Sequence, residues 1–185
     1  MRRVVFTALL AFALLVPAPA SARGTRAVAS CANRSIAGFP NAYANRAENI
    51  VVGPLSIIRG KGHADSDPAS INRFGGDKLP FILRQGHTAT VALRRALRPA
   101  AGGGWEPAPA GQVHFSWERN VTGFRFVACP RGHKNDSTGD GRPATFWMST
   151  ISVVAPVCVY LRVTVDGGRA VRRTMPMGTP DCPRA

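Results

Sequence analysis

The sequence predicts an all-β protein, and three observations carry that reading. About eight short runs rich in Val, Ile, Leu, Phe and Thr alternate apolar with polar positions. Glycine and proline turns separate them. No stretch keeps the apolar spacing of an amphipathic helix. Together these predict an antiparallel immunoglobulin-like β-sandwich built from residues 50–185 as a single domain, with a small β-barrel as the alternative.

The composition fits one such domain. The 185 residues are 45% hydrophobic and 18% charged, enough apolar material for one core and outside the range of disordered chains. With no collagen period, heptad run, internal repeat or second long apolar stretch, fibrous, coiled-coil, solenoid and polytopic membrane classes are excluded.

Residues 1–22 read as a signal peptide. Arg2 and Arg3 are followed by an apolar run over residues 4–16, too short to span a bilayer, and by small residues ending in Ala20-Ser21-Ala22. Cleavage is expected between Ala22 and Arg23. The first cysteine, Cys31, stands too far from that point for lipid attachment. Residues 23–49 hold scattered apolar residues without sustained periodicity and read as a partly ordered N-terminal arm.

The strands follow in order. Residues 50–52 and 55–58 bracket Gly53-Pro54, and residues 59–78 read as a glycine-rich surface loop. Residues 79–84 and 88–93 flank Gln85-Gly86-His87, which predicts a hairpin because Gly86 can take the positive φ of a tight turn. Residues 100–111, with three consecutive glycines, read as an exposed loop. Residues 112–117 and 121–129 place Val113, Phe115 and Trp117, then Phe124, Phe126 and Ala128, on core-facing sides. Residues 145–154 and 157–165 supply two more strands, and Asp166-Gly167-Gly168 turns the chain into a last one over residues 169–177.

Export sets the reading of the four cysteines. An even number in an oxidising compartment predicts two disulfides among Cys31, Cys129, Cys158 and Cys182. Of the three connectivities, Cys129 with Cys158 and Cys31 with Cys182 is favoured, the second tying the chain ends. Strand parity puts Cys158 with Tyr160 and Arg162, opposite Val157, Val159 and Leu161, so its bond is expected on an outer face or at strand ends. Cys129 and His133 have a metal-like gap but no close third ligand in sequence, so no metal site is assigned.

No motif assigns an activity. Gly-x-Ser-x-Gly, His-Glu-x-x-His, phosphate-loop and dinucleotide fingerprints are absent, so no catalytic residue and no cofactor are named. His63, His87, His114 and His133 are scattered, and His114 stands too far along an extended strand from Glu118 to form an acid/base pair. Residues 135–141 resemble part of a calcium loop, with oxygen donors at Asp136, Thr138 and Asp140 and glycine at Gly141. The position for a bidentate Glu is Trp147, which favours an ordinary Asp/Gly turn. Asn33-Arg34-Ser35, Asn120-Val121-Thr122 and Asn135-Asp136-Ser137 match the glycosylation triplet and are read as chance.

Charge is the remaining signal. Of the 24 basic residues 21 are Arg; without Arg2 and Arg3 the basic residues number 22 against 10 acidic, a formal +12. Such an excess favours encounters with polyanions, and the arginine fork suits phosphate or carboxylate. Arg94, Arg95 and Arg98, and Arg169, Arg172 and Arg173, are the clusters. Aromatic and basic interleaving of the single-strand-binding kind is absent, so sequence-specific nucleic-acid binding is not expected.

The order of Phe126-Val127-Ala128-Cys129-Pro130, Phe146, Pro156-Val157-Cys158-Val159-Tyr160-Leu161, Val163-Thr164-Val165-Asp166-Gly167 and Gly178 to Cys182 resembles small exported proteins of actinobacterial type whose activity is uncharacterised. The resemblance covers about a third of the chain beyond residue 22. It implies an exported, cysteine-stapled β fold and carries over no site residue. The expected location is secreted or cell-envelope associated, with no transmembrane segment after the leader. Three readings of function follow: a binding module for anionic cell-envelope polymers or surfaces, a structural envelope component, and an enzyme with a site built from loops.

Overall fold

The computed structural model describes residues 25–59, 68–115, 121–134, 136–153, 155–179 and 181–184. The predicted leader and its cleavage point at Ala22 and Arg23 lie outside the described residues, as do His63, Glu118 and Asn135. In chain order the strands are β1 (Thr25–Ala29), β2 (Gly38–Phe39), β3 (Ile50–Val52), β4 (Leu55–Ile57), β5 (Gly76–Arg84), β6 (Thr88–Pro99), β7 (Trp105–Pro107), β8 (Val113–Phe115), β9 (Val121–Val127), β10 (Ser137–Gly139), β11 (Arg142–Val153), β12 (Val157–Val165) and β13 (Val171–Met177). Among the described residues there is one α-helix, α1 (Pro68–Phe74), ahead of β5, and a short 3-10 helix over Cys31–Asn33.

The strands form two sheets packed as a sandwich. The first runs β1-β9-β6-β12-β13, with β7 also on β6; the second runs β2-β10-β11-β5-β4-β3, with β8 also on β11. The core lies between them. Leu79, Phe81 and Leu83 of β5, with Trp147, Ile151 and Val153 of β11, face Val91 of β6, Phe126 of β9, and Val159, Leu161 and Val163 of β12. Phe81 stacks on Phe126 with ring centroids 4.6 Å apart, and Phe126 meets Trp147 at 5.2 Å. The alternation read along β8, β9 and β12 therefore selects the inner faces as expected.

Five features differ from the sequence reading. The sheets hold thirteen strands among the described residues rather than about eight, and both are mixed, because β1 pairs parallel with β9 and β2 parallel with β10. The predicted hairpin over residues 79–93 is an arch. Gly86 does take φ +78, but β5 joins the second sheet and β6 the first, so the turn crosses the sandwich instead of pairing its flanks. A tight glycine turn between two apolar strands is compatible with either geometry, and burial of both strands' inner faces against each other favours the arch.

The N-terminal arm is the third difference. Residues 25–29 form β1, and residues 35–49 lie over the outer face of the second sheet, where Phe39, Ala42 and Tyr43 pack with Ile82, Ala144 and Phe146. Its apolar residues lack a period because they serve two separate surfaces. Fourth, the surface loop over residues 59–78 contains α1, whose Ile71 is 2% exposed, and the start of β5. Fifth, the loop over residues 100–111 contains β7, an edge strand held to β6 by pairing and by Arg98 on Glu106 at 2.6 Å.

The cysteine pairing is also corrected. Cys31 bonds Cys129, and Cys158 bonds Cys182, in place of the favoured Cys129–Cys158 and Cys31–Cys182. The parallel entry of β1 beside β9 delivers Cys31 to the end of β9, a neighbour that sequence distance conceals. Parity did place Cys158 on the outer face of β12, where residues 181–184 return over it: Cys158 is fully buried, and the Tyr160 hydroxyl donates to the Pro183 carbonyl at 2.7 Å. No helix among the described residues is long and apolar enough to cross a membrane.

Candidate functional site: an arginine face on the first sheet

The two outer faces are treated differently. Among the described residues, the second sheet is covered by residues 35–49, whereas the first is covered only at one end by the C-terminal tail. On the first sheet the core-facing residues of β12 are Val157, Val159, Leu161 and Val163, so Tyr160, Arg162 and Thr164 point outward. The cross-strand register then fixes what else shares that face.

One row across the sheet reads Arg26, Gly123, Ala92, Arg162 and Arg172, from β1 to β13. The row on one side is Val28, Arg125, Thr90 and Thr164. The row on the other is Arg95, Tyr160 and Thr174, beside a β-bulge that inserts Arg94. A bulge gives β6 one extra residue opposite β12, which brings two consecutive arginines to one place.

Arg94, Arg95, Arg172 and Arg173 line, with Tyr160 and Leu161, a depression of about 240 Å³. The Arg95 guanidinium lies 4.4 Å from the centre of the Tyr160 ring, a cation–π contact that orients its fork. The six strands of this sheet contain eight arginines and one carboxylate, Glu106, which Arg98 engages. The other seven form no ion pair among the described residues. Arginine remains charged at any ordinary pH, so the face is a fixed positive field.

The remaining candidates fall elsewhere. Asp136 of the calcium-like loop is consumed internally: its side chain is 2% exposed, with Arg34 at 3.5 Å, Thr145 Oγ1 donating at 2.9 Å and Gln85 Nε2 donating at 3.2 Å. Asp140 accepts from the Tyr43 amide at 3.0 Å, and Asp140-Gly141 makes the β10–β11 turn with both φ angles positive. The ordinary-turn reading describes this segment, with β10 as an unforeseen short strand.

The fold brings Cys31 to Cys129 and His133, with the ligand atoms within 4.8 Å of one another, but both sulfurs are joined in a disulfide and are not thiolates. His87 sits at a turn, its Nδ1 2.7 Å from Asp166 Oδ2. The Thr88 amide donating to Asp166, and then His87, hold the Asp166 carboxyl below the usual carboxylate range. His114 lies on β8 opposite Ser152. These three histidines have separate surroundings and form no catalytic constellation among the described residues.

The sequence singled out Arg94, Arg95, Arg172 and Arg173, and the fold joins them. Of the other two clustered arginines, Arg98 is drawn to Glu106 and Arg169 stays in the β12–β13 turn. Arg26, Arg125 and Arg162 were not singled out. Their signal is parity: each occupies an outward position on a strand that carries no acidic residue. Comparisons of the chain with protein-family models, curated proteins and solved structures return no match.

Proposed function

We propose that this chain is a secreted, disulfide-stabilised binding module of immunoglobulin-like type that captures anionic polymers of the cell surroundings on the outer face of its first sheet. The observation that carries the reading is the segregation of six arginines without an ion pair among the described residues, Arg26, Arg94, Arg95, Arg125, Arg162 and Arg172, onto one face, with Arg173 of the edge strand β13 joining Arg94, Arg95 and Arg172 around the Tyr160 depression. Coding bias toward arginine would scatter the charge and leave acidic neighbours among it; here the strands concerned hold none beyond the paired Glu106. The two disulfides suit an oxidising location.

The test is retention of the chain, with residues 1–22 removed, on an immobilised acidic polymer as salt rises, with a neutral polymer as reference. Binding is expected to weaken linearly in log–log form as counterions compete, because release of condensed ions drives such capture. Replacing Arg94, Arg95, Arg172 and Arg173 together by Gln should remove most of the retention while the unfolding midpoint stays within a few degrees. Salt-insensitive retention, or an unchanged quadruple variant, would refute the reading and favour a purely structural envelope component.

A further inference from the structure

We infer that the polymer is a linear chain of repeating phosphates without bulky side groups, lying across the strands of the first sheet and seating one phosphate in the depression beside Tyr160. This rests on the anion-binding reading above and adds the charge-bearing group, the direction of the chain and its minimum length.

The direction follows from what borders the face. Along the strands, one end is closed by residues 181–184 over Tyr160 and the other carries the Asp166 carboxylate at the β12–β13 turn. Across the strands no acidic residue intervenes among the described residues, and the longest arginine row runs that way, from Arg26 through Arg162 to Arg172. Five strands about 4.8 Å apart make that row about 19 Å long. Its middle is low. Ala92 offers a methyl, and Gly123 lies so close to β6 that a Cβ there would stand 2.5 Å from the Val91 carbonyl oxygen. Arg125 rises on one side and Arg95 with Tyr160 on the other, so the row is a shallow positive track with a small-residue floor.

The charge-bearing group follows from spacing. Arg162 and Arg172 are direct cross-strand neighbours, and Arg94 and Arg95 are consecutive, so the closest of these arginines are anchored about one strand spacing apart. A phosphate chain presents charge at every short repeat, each with paired oxygens for a guanidinium fork. An acidic polysaccharide carries one carboxylate per sugar ring, so it brings fewer charges to each length of the track than a phosphate chain does. A membrane surface fits less well, because the exposed large apolar residues with the outward register of this sheet stand far apart, Val28 level with Thr90 of β6 and Trp105 level with Pro99 at its other end, leaving no contiguous apolar wedge for the headgroup layer.

The test measures binding of the disulfide-bonded chain, lacking residues 1–22, to inorganic polyphosphates of increasing length, to polygalacturonate and polyglutamate at equal total charge, and to anionic vesicles. Affinity per chain should rise steeply until the polyphosphate spans about 19 Å and only slowly beyond. Arg26→Gln should weaken the long chain by about threefold to fivefold and tripolyphosphate by a smaller factor, whereas Arg95→Gln should weaken both. Each arginine removed from the track should make the log K against log salt slope shallower by about 0.7. Arg142→Gln, on the second sheet, serves as the charge control. Absence of a length threshold, equal effects of Arg26→Gln on short and long chains, or stronger binding of a polycarboxylate or of vesicles would overturn this inference while leaving anion capture standing. Failure of every polyanion to bind would instead sink the anion-binding reading beneath it.

Discussion

Removing the Cys31–Cys129 bond is expected to cost more stability than removing Cys158–Cys182, and the sizes follow from the loops each closes. The first joins residues 98 apart and the second residues 24 apart. In the chain-entropy treatment these lengths correspond to about 4.7 and about 3.4 kcal/mol at 25 °C. Alanine is the better replacement, because Cys129 and Cys158 are fully buried and a serine hydroxyl there would need a partner. Guanidinium unfolding of Cys31→Ala/Cys129→Ala and of Cys158→Ala/Cys182→Ala should therefore place the first about 1.3 kcal/mol below the second. The local consequences differ too. The first variant loosens β1, an edge strand carrying Arg26, and should speed amide exchange across residues 25–29. The second frees the tail from Tyr160 and should leave β1 protected. Equal losses, the reverse order, or a non-reducing peptide map linking Cys129 to Cys158 would refute the assigned pairing and the reasoning built on it.

Three further outcomes are expected. Tyr43→Phe should destabilise by about 0.5–1.5 kcal/mol in denaturant unfolding, because the hydroxyl's 2.9 Å bond to the Pro54 carbonyl is lost while the Arg84 amide, 3.0 Å away, still donates to that carbonyl; burial holds the phenol protonated, well above its usual range. Gly139→Ala should destabilise by about 1–3 kcal/mol, since its Cβ would stand 2.8 Å from the Tyr43 ring and 3.4 Å from Ile82, and pairing with a smaller residue at 43 should recover part of the loss. Because the Thr88 amide and His87 depress the Asp166 pKa, its contribution to stability is present above the unfolded value near 3.9 and is lost as pH falls through the lower folded value. Asp166→Asn should then lower the melting temperature slightly at pH 7 and flatten the acid limb, by less than about 1 kcal/mol at this exposed position; an unchanged acid limb would contradict the linkage.

Much of the fold was legible because strand parity is a local property. The runs at 121–129 and 157–165 each show which side faces the core, and Phe126, Val159 and Leu161 occupy that side. The same parity put Cys158 and Tyr160 outward, where the tail covers them. The Asp166-Gly167-Gly168 turn also announced the β12–β13 pair, and what stayed hidden was the choice of more distant partners. The Gly86 turn reads the same as a hairpin or an arch, and only the competition among β4, β6 and β11 for the edges of β5 decides it. Cys31 meets Cys129 because β1 inserts in parallel beside β9, and no spacing rule anticipates a contact across 98 positions. Residues 35–49 lacked a period because their surface is the irregular outer side of another sheet.

The candidate site divides along the same line. Arginine content and the two short clusters were plain in the chain, and so was the alternation that turns Arg125 and Arg162 away from the core. The sequence by itself determined an all-β, two-disulfide, strongly basic body, since periodicity, cysteine number and net charge are sums over near neighbours. Only the tertiary structure decided that six arginines share one outward face while Glu106 is taken up by Arg98, because strand order and register act between segments far apart in the chain and set which outward positions become adjacent.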